Sequence, residues 1–394
     1  MLRPTARKTP ASRRDGFGLV ASLAVTQTIG FGVLYYAFSV FLTPMARELG
    51  TGIAQLTGAM TVSLLLSGLV APFAGRWLDA RGGRTVMTVG ALVATAAVLA
   101  WSQVRSPLEL YLVFAVLGPA AALVLYDAAF AVIVAWFDAS RRSRALLAVT
   151  IVAGFASSVF LPLTGFLVER YGWRTALVIL AIGYGVVAVP LHACLPRSRR
   201  VRPAGASVGS AVRERPFWLL AAAFLAQSGA VAVIAMLLVS YLIALGHAPL
   251  FAASAAGLLG VLSVTGRVVT SGLHSRWPVA LVTAAVFVLQ GVAAAMLPFV
   301  GATVPGAIGS VVLFGLGFGV STIARPALLA DRYGTAAYAS ISGVLTLPIT
   351  FAKALAPLAG AAMAQAAGYT LVMAVVAAAC LSGAVALAVF ERVS

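Results

Sequence analysis

Twelve stretches of this chain stay predominantly apolar for 20 residues or more, and that repetition leaves few folds open: 17–45, 55–78, 84–103, 107–137, 144–168, 173–195, 216–245, 249–273, 278–299, 304–330, 336–363 and 368–390. About 20 apolar residues carry a helix across a bilayer core. Sustained alternation of apolar and polar residues is absent, and the stretches are too long for barrel strands. The expectation is therefore an all-α membrane protein with twelve transmembrane helices. Composition agrees: 62% of residues are hydrophobic and 9% charged, against about 25% charged in soluble domains. That excludes a soluble enzyme, a free nucleic-acid binder and a disordered chain.

The net charge of +17 takes its meaning from placement. With the N-terminus taken as cytoplasmic, the tail and inner side hold 22 of the 27 Lys and Arg residues, or 20 once Arg267 and Arg325 are counted inside spans, and the outer loops hold only Arg47, Arg105, Arg170 and Arg174. This bias places both termini in the cytoplasm. Arg13-Arg14 precedes an apolar run too long for a cleaved leader, so the run reads as the first helix. Pro196 to Arg215 is the longest polar segment and divides the spans six and six. The expected organisation is a basic tail (1–16), a six-helix bundle (17–195), a cytoplasmic linker (196–215), a second bundle (216–390) and a short tail (391–394). Arginine dominates the basic residues, as in GC-rich bacteria, so the expected location is a bacterial inner membrane, as a monomer. Cys194 and Cys380 lie in apolar stretches and read as packing residues.

A parallel duplication leaves faint traces at an offset of 195. Trp77-Leu78-Asp79-Ala80-Arg81 aligns with Gly272-Leu273-His274-Ser275-Arg276, and Pro162-Leu163-Thr164-Gly165 with Pro357-Leu358-Ala359-Gly360. The first of these belongs to Gly75-Arg76-Trp77-Leu78-Asp79-Ala80-Arg81-Gly82-Gly83-Arg84. Its glycines allow a tight turn and close helix approach. Asp79 can sit near a helix N-terminus and pair with neighbouring arginines. The segment resembles the loop 2–3 signature of the major facilitator superfamily. The resemblance implies two six-helix bundles and a conformational latch built from Gly75, Asp79, Arg81, Gly83 and Arg84. Asp15-Gly16-Phe17-Gly18, together with Trp136-Phe137 and the run through Arg141–Leu146 to Ser158, resembles the monocarboxylate transporter and oxalate–formate antiporter branch.

Ionisable residues inside a span are costly and are functional candidates by default. Asp127 and Lys353 each lie about ten residues from a span end, roughly 15 Å deep. Arg267 is about nine residues inside span 8, and Arg325 lies one or two turns inside span 10. At the repeat offset Asp127 corresponds to Thr322, one turn from Arg325, so the two can pair across a central cavity. Three cations against one anion favour an anionic ligand. The branch resemblance implies an anion-binding pair of Arg267 on helix 8 and Lys353 on helix 11. Each charge keeps a second reading: Arg267 as a snorkelling anchor, Arg325 as a gate charge, and Asp127 as either a charge partner or a proton carrier. Tyr35, Tyr36, Gln27, Tyr126, Gln227 and Tyr241 can complete a pocket, and the tyrosines can equally be interfacial anchors. The Gly315–Gly319 run permits close packing or bending of span 10.

The three histidines, His192, His247 and His274, show no metal-ligand spacing. No nucleophile elbow or P-loop is present. The expectation is no enzyme, no cofactor and no metal, but a gradient-driven carrier of a small organic anion, such as a monocarboxylate, working by alternating access. Proton symport and proton-free exchange are the two coupling options. The competing readings are an exporter of lipophilic compounds and a transport-like sensor.

Overall fold

The computed structural model describes residues 13–196, 206–274 and 276–393. The tail residues Arg3, Arg7 and Lys8, and the linker residues Arg197, Arg199, Arg200 and Arg202, lie outside the described residues, as do the side chains of Arg13, Arg14 and Asp15.

The first half begins with α1 (Arg13–Phe31), a π-helical turn at Gly32–Tyr36, and α2 (Ala37–Glu48), which form one continuous span. Next come α3 (Ile53–Arg81), α4 (Gly83–Trp101), α5 (Pro107–Val124), α6 (Tyr126–Trp136), α7 (Ala139–Gly154) and α8 (Ala156–Ala193). A short α9 (Val208–Ala211) lies in the linker. The second half runs through α10 (Arg215–Ala244), α11 (Pro249–Leu273), α12 (Val279–Val300), α13 (Val304–Gly317), α14 (Ser321–Tyr333), α15 (Tyr338–Ala367) and α16 (Tyr369–Val393).

Eleven helical segments among the described residues are long and apolar enough to cross a membrane. One of them, Arg141–Ala193, has 53 residues. A straight helix of that length would reach about 80 Å, far beyond a bilayer core of about 30 Å. It is interrupted at Gly172, where φ is 76°, a backbone value that costs only glycine nothing.

Local chemistry sets several helix starts. The Ser106 hydroxyl accepts the Glu109 amide, and Pro107 occupies the first turn of α5, where its missing N–H costs nothing. Thr303 does the same for α13 through the Gly306 amide. The outward faces carry apolar stripes for lipid: Leu108, Leu112 and Val116, four residues apart on α5, are exposed. In a medium without water, such a surface is expected rather than anomalous. Cys380 is buried, but Cys194 is exposed at the end of α8, so it is not the core residue its apolar surroundings suggest.

Two contacts organise the halves. The first is the long crossing of α3 over α15. Gly75 lies so close to α15 that a Cβ there would overlap the Ala339 carbonyl. Gly343 similarly faces the Ala71 carbonyl, and Gly68 the Thr350 side chain. Small residues at a crossing let backbones approach and gain dispersion contact where no hydrophobic effect operates between helices. The second is the arrangement of apolar cores. One buried cluster runs through the first half and continues into α14, α15 and the adjoining parts of α10, α12 and α16. A separate one occupies the part of the second half away from the linker, around Leu237, Leu297 and Met373.

At the end away from the linker, polar ties run within each half. Arg174 donates to Glu48 at 2.9 Å and to the carbonyls of Ser102 and Val104, both at 2.7 Å. Trp173 donates its indole N–H to the same Glu48. In the second half His247 Nε2 lies 2.6 Å from the Gly301 carbonyl. Arg174→Ala strips two helix-end carbonyls and one carboxylate of their donor. It should lower thermal stability in detergent by about 1–3 kcal/mol. Arg170→Ala, whose charge lies 6.0 Å over the Tyr171 ring, should change it by less than about 1 kcal/mol; equal melting temperatures for the two variants would contradict the assignment.

Candidate functional site

Two crossing helices break at mid-depth, one in each half. Leu125 separates α5 from α6 with extended backbone, φ −83° and ψ −164°. No helix-breaking residue stands there. The break is held from α1, where Gln27 Nε2 donates to the Val124 carbonyl at 2.7 Å. In the second half α13 ends at Gly317 and α14 starts at Ser321. A chain of amides holds that break: Gln290 donates to the Phe314 carbonyl at 3.2 Å, Gln227 donates to Gln290 at 3.2 Å, and the Ser321 hydroxyl donates to Gln227 at 2.6 Å. In hydrocarbon surroundings, backbone groups freed by a break need such partners.

The breaks present charges. Asp127 stands in the first turn of α6, where exposed amides and the helix dipole favour an anion. Arg325 follows the second break on α14. Its Nη2 lies 2.6 Å from Asp127 Oδ1, so one ion pair joins the two halves. Thr346 on α15 also donates to Asp127 Oδ1, at 3.3 Å.

Lys353 lies deep within the molecular envelope, in electrostatic reach of both Asp127 and Arg325. Its side chain is nevertheless exposed to solvent, so it faces an opening rather than packed protein. It makes no hydrogen bond or ion pair among the described residues. Arg267 is buried, 8% exposed. It donates through Nη1 to the Thr150 carbonyl of the other half at 2.8 Å and through Nε to the Gly319 carbonyl at 3.2 Å. A side chain at Gly319 would occupy the space of the guanidinium. Tyr126 and Tyr36 lie in the field of Arg267. Tyr126 stacks on Phe130 at 4.9 Å, and Tyr35 stands edge-on to Tyr36 at 5.3 Å.

The candidates thus form two groups: Asp127, Arg325 and Lys353 in one, and Arg267, Tyr36, Tyr126 and, through Tyr36, Tyr35 in the other, with the chain neighbours Tyr126 and Asp127 linking them. Three other candidates join neither group. Gln27 is fully buried, with its amide N–H given to the Val124 carbonyl. Gln227 is buried with both ends of its amide engaged in the α10–α12–α14 chain. Tyr241 stacks on Tyr369 at 5.1 Å within the separate apolar core of the second half. With Asp127 matched to Arg325, Lys353 and Arg267 are the cations left without a carboxylate.

The last turn of α3 forms a clasp of unexpected chemistry. Asp79 makes no ion pair with neighbouring arginines among the described residues. Its two oxygens instead accept the backbone amides of Ser340 at 2.7 Å and Ala339 at 3.2 Å. The first-half carboxylate therefore caps the start of second-half α15. Arg81 lies 5.8 Å over the Trp77 ring, Arg84 is exposed, and Gly83 allows α4 to approach Val132. A second tie at the same end, Arg142 Nη1 to Asp331 Oδ1 at 3.2 Å, joins α7 to α14. In the sequence Arg142 is one of a run of topology arginines, so nothing marked it as a partner. The signal was Asp331, one of only 10 acidic residues in the chain. Thr346 and Gln290 carry no sequence signal. The hydrogen bonds and ion pairs that join the halves cluster between mid-depth and the linker end.

The family model of the Major Facilitator Superfamily matches residues 23–347. Bovine (Bos taurus) monocarboxylate transporter 13 is 25% identical over 338 residues, which is 84% of this chain and 78% of that protein. Among solved structures, a bacterial homologue of the iron transporter ferroportin in an outward-facing state superposes with a TM-score of 0.78 at 16% identity, covering 95% of this chain and 99% of that one. The E. coli fucose:proton symporter FucP superposes at 0.76 with 13% identity, covering 94% and 98%. At these identities the structural likeness concerns the fold.

Removing one partner of a buried ion pair strands the other, at a cost of about 3–5 kcal/mol when burial is complete. The Asp127 side chain is 35% exposed, so the cost here falls below that range. Asp127→Asn and Arg325→Gln should each lower the melting temperature. The double variant should lie nearer the parent than either single change, and strict additivity would show that the pair is not coupled.

Proposed function

The chain belongs to the Major Facilitator Superfamily, and within that fold we propose that it carries a small organic anion, a monocarboxylate or a related carboxylate, across the membrane by alternating access. One observation carries the reading: Lys353 and Arg267 stand at mid-depth between the halves without a carboxylate, and Lys353 faces an opening. A carboxylate entering there would meet a point charge from lysine and a planar donor from arginine. Tyr36 and Tyr126 lie beside Arg267 to complete the pocket. The similarity to a monocarboxylate transporter supports the substrate class.

In this reading the 53-residue segment crosses twice, giving twelve crossings with both termini in the cytoplasm. The linker end is then the cytoplasmic end, and the clasp at Asp79 and the Arg142–Asp331 pair close that side. The Arg325–Asp127 pair is the mobile tie. A bound anion would compete with Asp127 for Arg325, and a proton on Asp127 would release Arg325 without an anion. Asp127 is accordingly the proton carrier of a symport cycle. The chain functions as a monomer in a bacterial inner membrane, with no nucleic-acid partner.

Liposome uptake of labelled carboxylates tests the assignment. Lys353→Ala and Arg267→Ala should each reduce uptake by about tenfold or more, since a hydrogen bond to a charged group contributes about 1.5–3 kcal/mol. Normal transport in both variants would sink it. Asp127→Asn should abolish drive by an acid gradient; a gradient response that survives this change removes the proton role.

A further inference from the structure

Behind the ion pair lies a narrow cavity of about 60 Å³ between α3, the α5–α6 break and α15. Asp127 lines it beside Thr346. Its Oδ1 already receives Arg325 and Thr346, whereas Oδ2 has no protein donor among the described residues. The cavity reaches Leu78 and Ala339, beside the clasp at the linker end. Between these points its wall carries the hydroxyls of Ser342 and Thr346, with Ser67 and Thr350 on the side of Asp127 away from the linker.

The dimensions select the occupant. From Thr346, beside Asp127, to Ala339 the wall follows α15 for about 10 Å. A file of about three waters at hydrogen-bond spacing would span that distance, and one water needs only about 10–15 Å³ of such space. An anion would meet the Asp127 carboxylate, and an alkali cation would have to share that carboxylate with the Arg325 guanidinium. Water suits hydroxyl walls, because each hydroxyl both donates and accepts.

We propose that this cavity holds a thread of waters through which Asp127 exchanges its proton with the linker side while the two halves remain closed. The inference rests on Asp127 as the proton carrier of the cycle above. In the step, the O–H bond of protonated Asp127 breaks and its proton joins the first water. Each water passes one proton on, and the carboxylate left behind is held by Arg325. The charged or titratable groups around Asp127 are Arg325 from α14, Lys353 and Tyr338 from α15 and neighbouring Tyr126 on α6; Tyr338 in turn hydrogen-bonds the Ser342 hydroxyl and lies in the field of Arg142 from α7. Asp79 from α3 stands at the far mouth, and α5 contributes only Ala122 to the wall. The thread would let the proton leave toward one side while the anion path stays open to the other, so proton and anion need not share a route.

Ser342 is buried and lies one turn from Thr346 toward the mouth, which makes it the place to interrupt the thread without touching Asp127. Ser342→Val and Ser342→Thr add similar volume, and only the threonine keeps the hydroxyl. In liposomes, uptake driven by a pH gradient should fall about tenfold or more with valine and stay within about threefold of the parent with threonine. Counterflow at equal pH, which moves no net proton, should match the parent in both. Ser342→Ala, which adds no volume, should show the same selective loss where valine prevents folding. Gradient-driven uptake that survives the loss of the hydroxyl overturns the thread, as does an equal loss of counterflow, which would mark a packing effect. A parent protein that ignores a pH gradient but retains counterflow overturns the thread and leaves the anion reading standing. Absence of carboxylate counterflow in the parent overturns the anion reading itself.

Discussion

A polar group placed at membrane depth must find its partner inside the protein, because hydrocarbon offers none. Most of this structure follows from that rule. The broken helices survive because Gln27 covers the Val124 carbonyl and the Gln290–Gln227–Ser321 chain covers the other break. The breaks in turn create helix starts at which Asp127 and Arg325 can be presented. Those two residues then satisfy one another across the halves. Remove the amides, and the charges lose the geometry that makes them affordable in this setting.

The same rule accounts for the asymmetry of the molecule. Toward the linker, each half supplies what the other lacks: Asp79 offers oxygens to the amides that start α15, Arg142 meets Asp331, and Arg267 reaches the Thr150 carbonyl. Away from the linker, each half is sufficient to itself. Arg174 gathers Glu48 and two helix-end carbonyls, and the second half has its own apolar core. Halves tied internally at one end and to each other at the opposite end meet along a seam. The ties in the seam are single hydrogen bonds and ion pairs beside a crossing of small residues, interactions that can separate without unfolding either half.

Particular residues show how far the sequence could be read. Asp127, Arg267, Arg325 and Lys353 were conspicuous because ionisable residues inside long apolar runs are rare. The repeat offset even set Asp127 and Arg325 about a turn apart on equivalent helices. Asp79, in the last turn of α3, meets the N-terminus of α15, and backbone amides stand where arginine partners were expected, because Gly75 brings α15 close enough for its first amides to reach the carboxylate. Gln227 and Tyr241 misled for a shared reason. A polar or aromatic side chain on an apolar helix has a face, and composition does not say which neighbour that face meets. The breaks at Leu125 and Phe318–Val320 were legible only in part. The glycine run marked the second, whereas the first depends on an amide almost a hundred residues away.

The sequence by itself determined that this chain lives in a bilayer, that it is helical, that its arginines are distributed by side, and that four charges lie at membrane depth. Those properties depend on local composition and on span length, so they can be read along one dimension. Only the tertiary structure decided which of the four charges neutralise each other and which stand open. It also decided which amides support the broken helices, and which end of the molecule is held shut. These are matters of distance between residues from different halves. A few ångströms of helix approach, set by glycines at the α3–α15 crossing, determine whether a carboxylate meets an arginine or an amide.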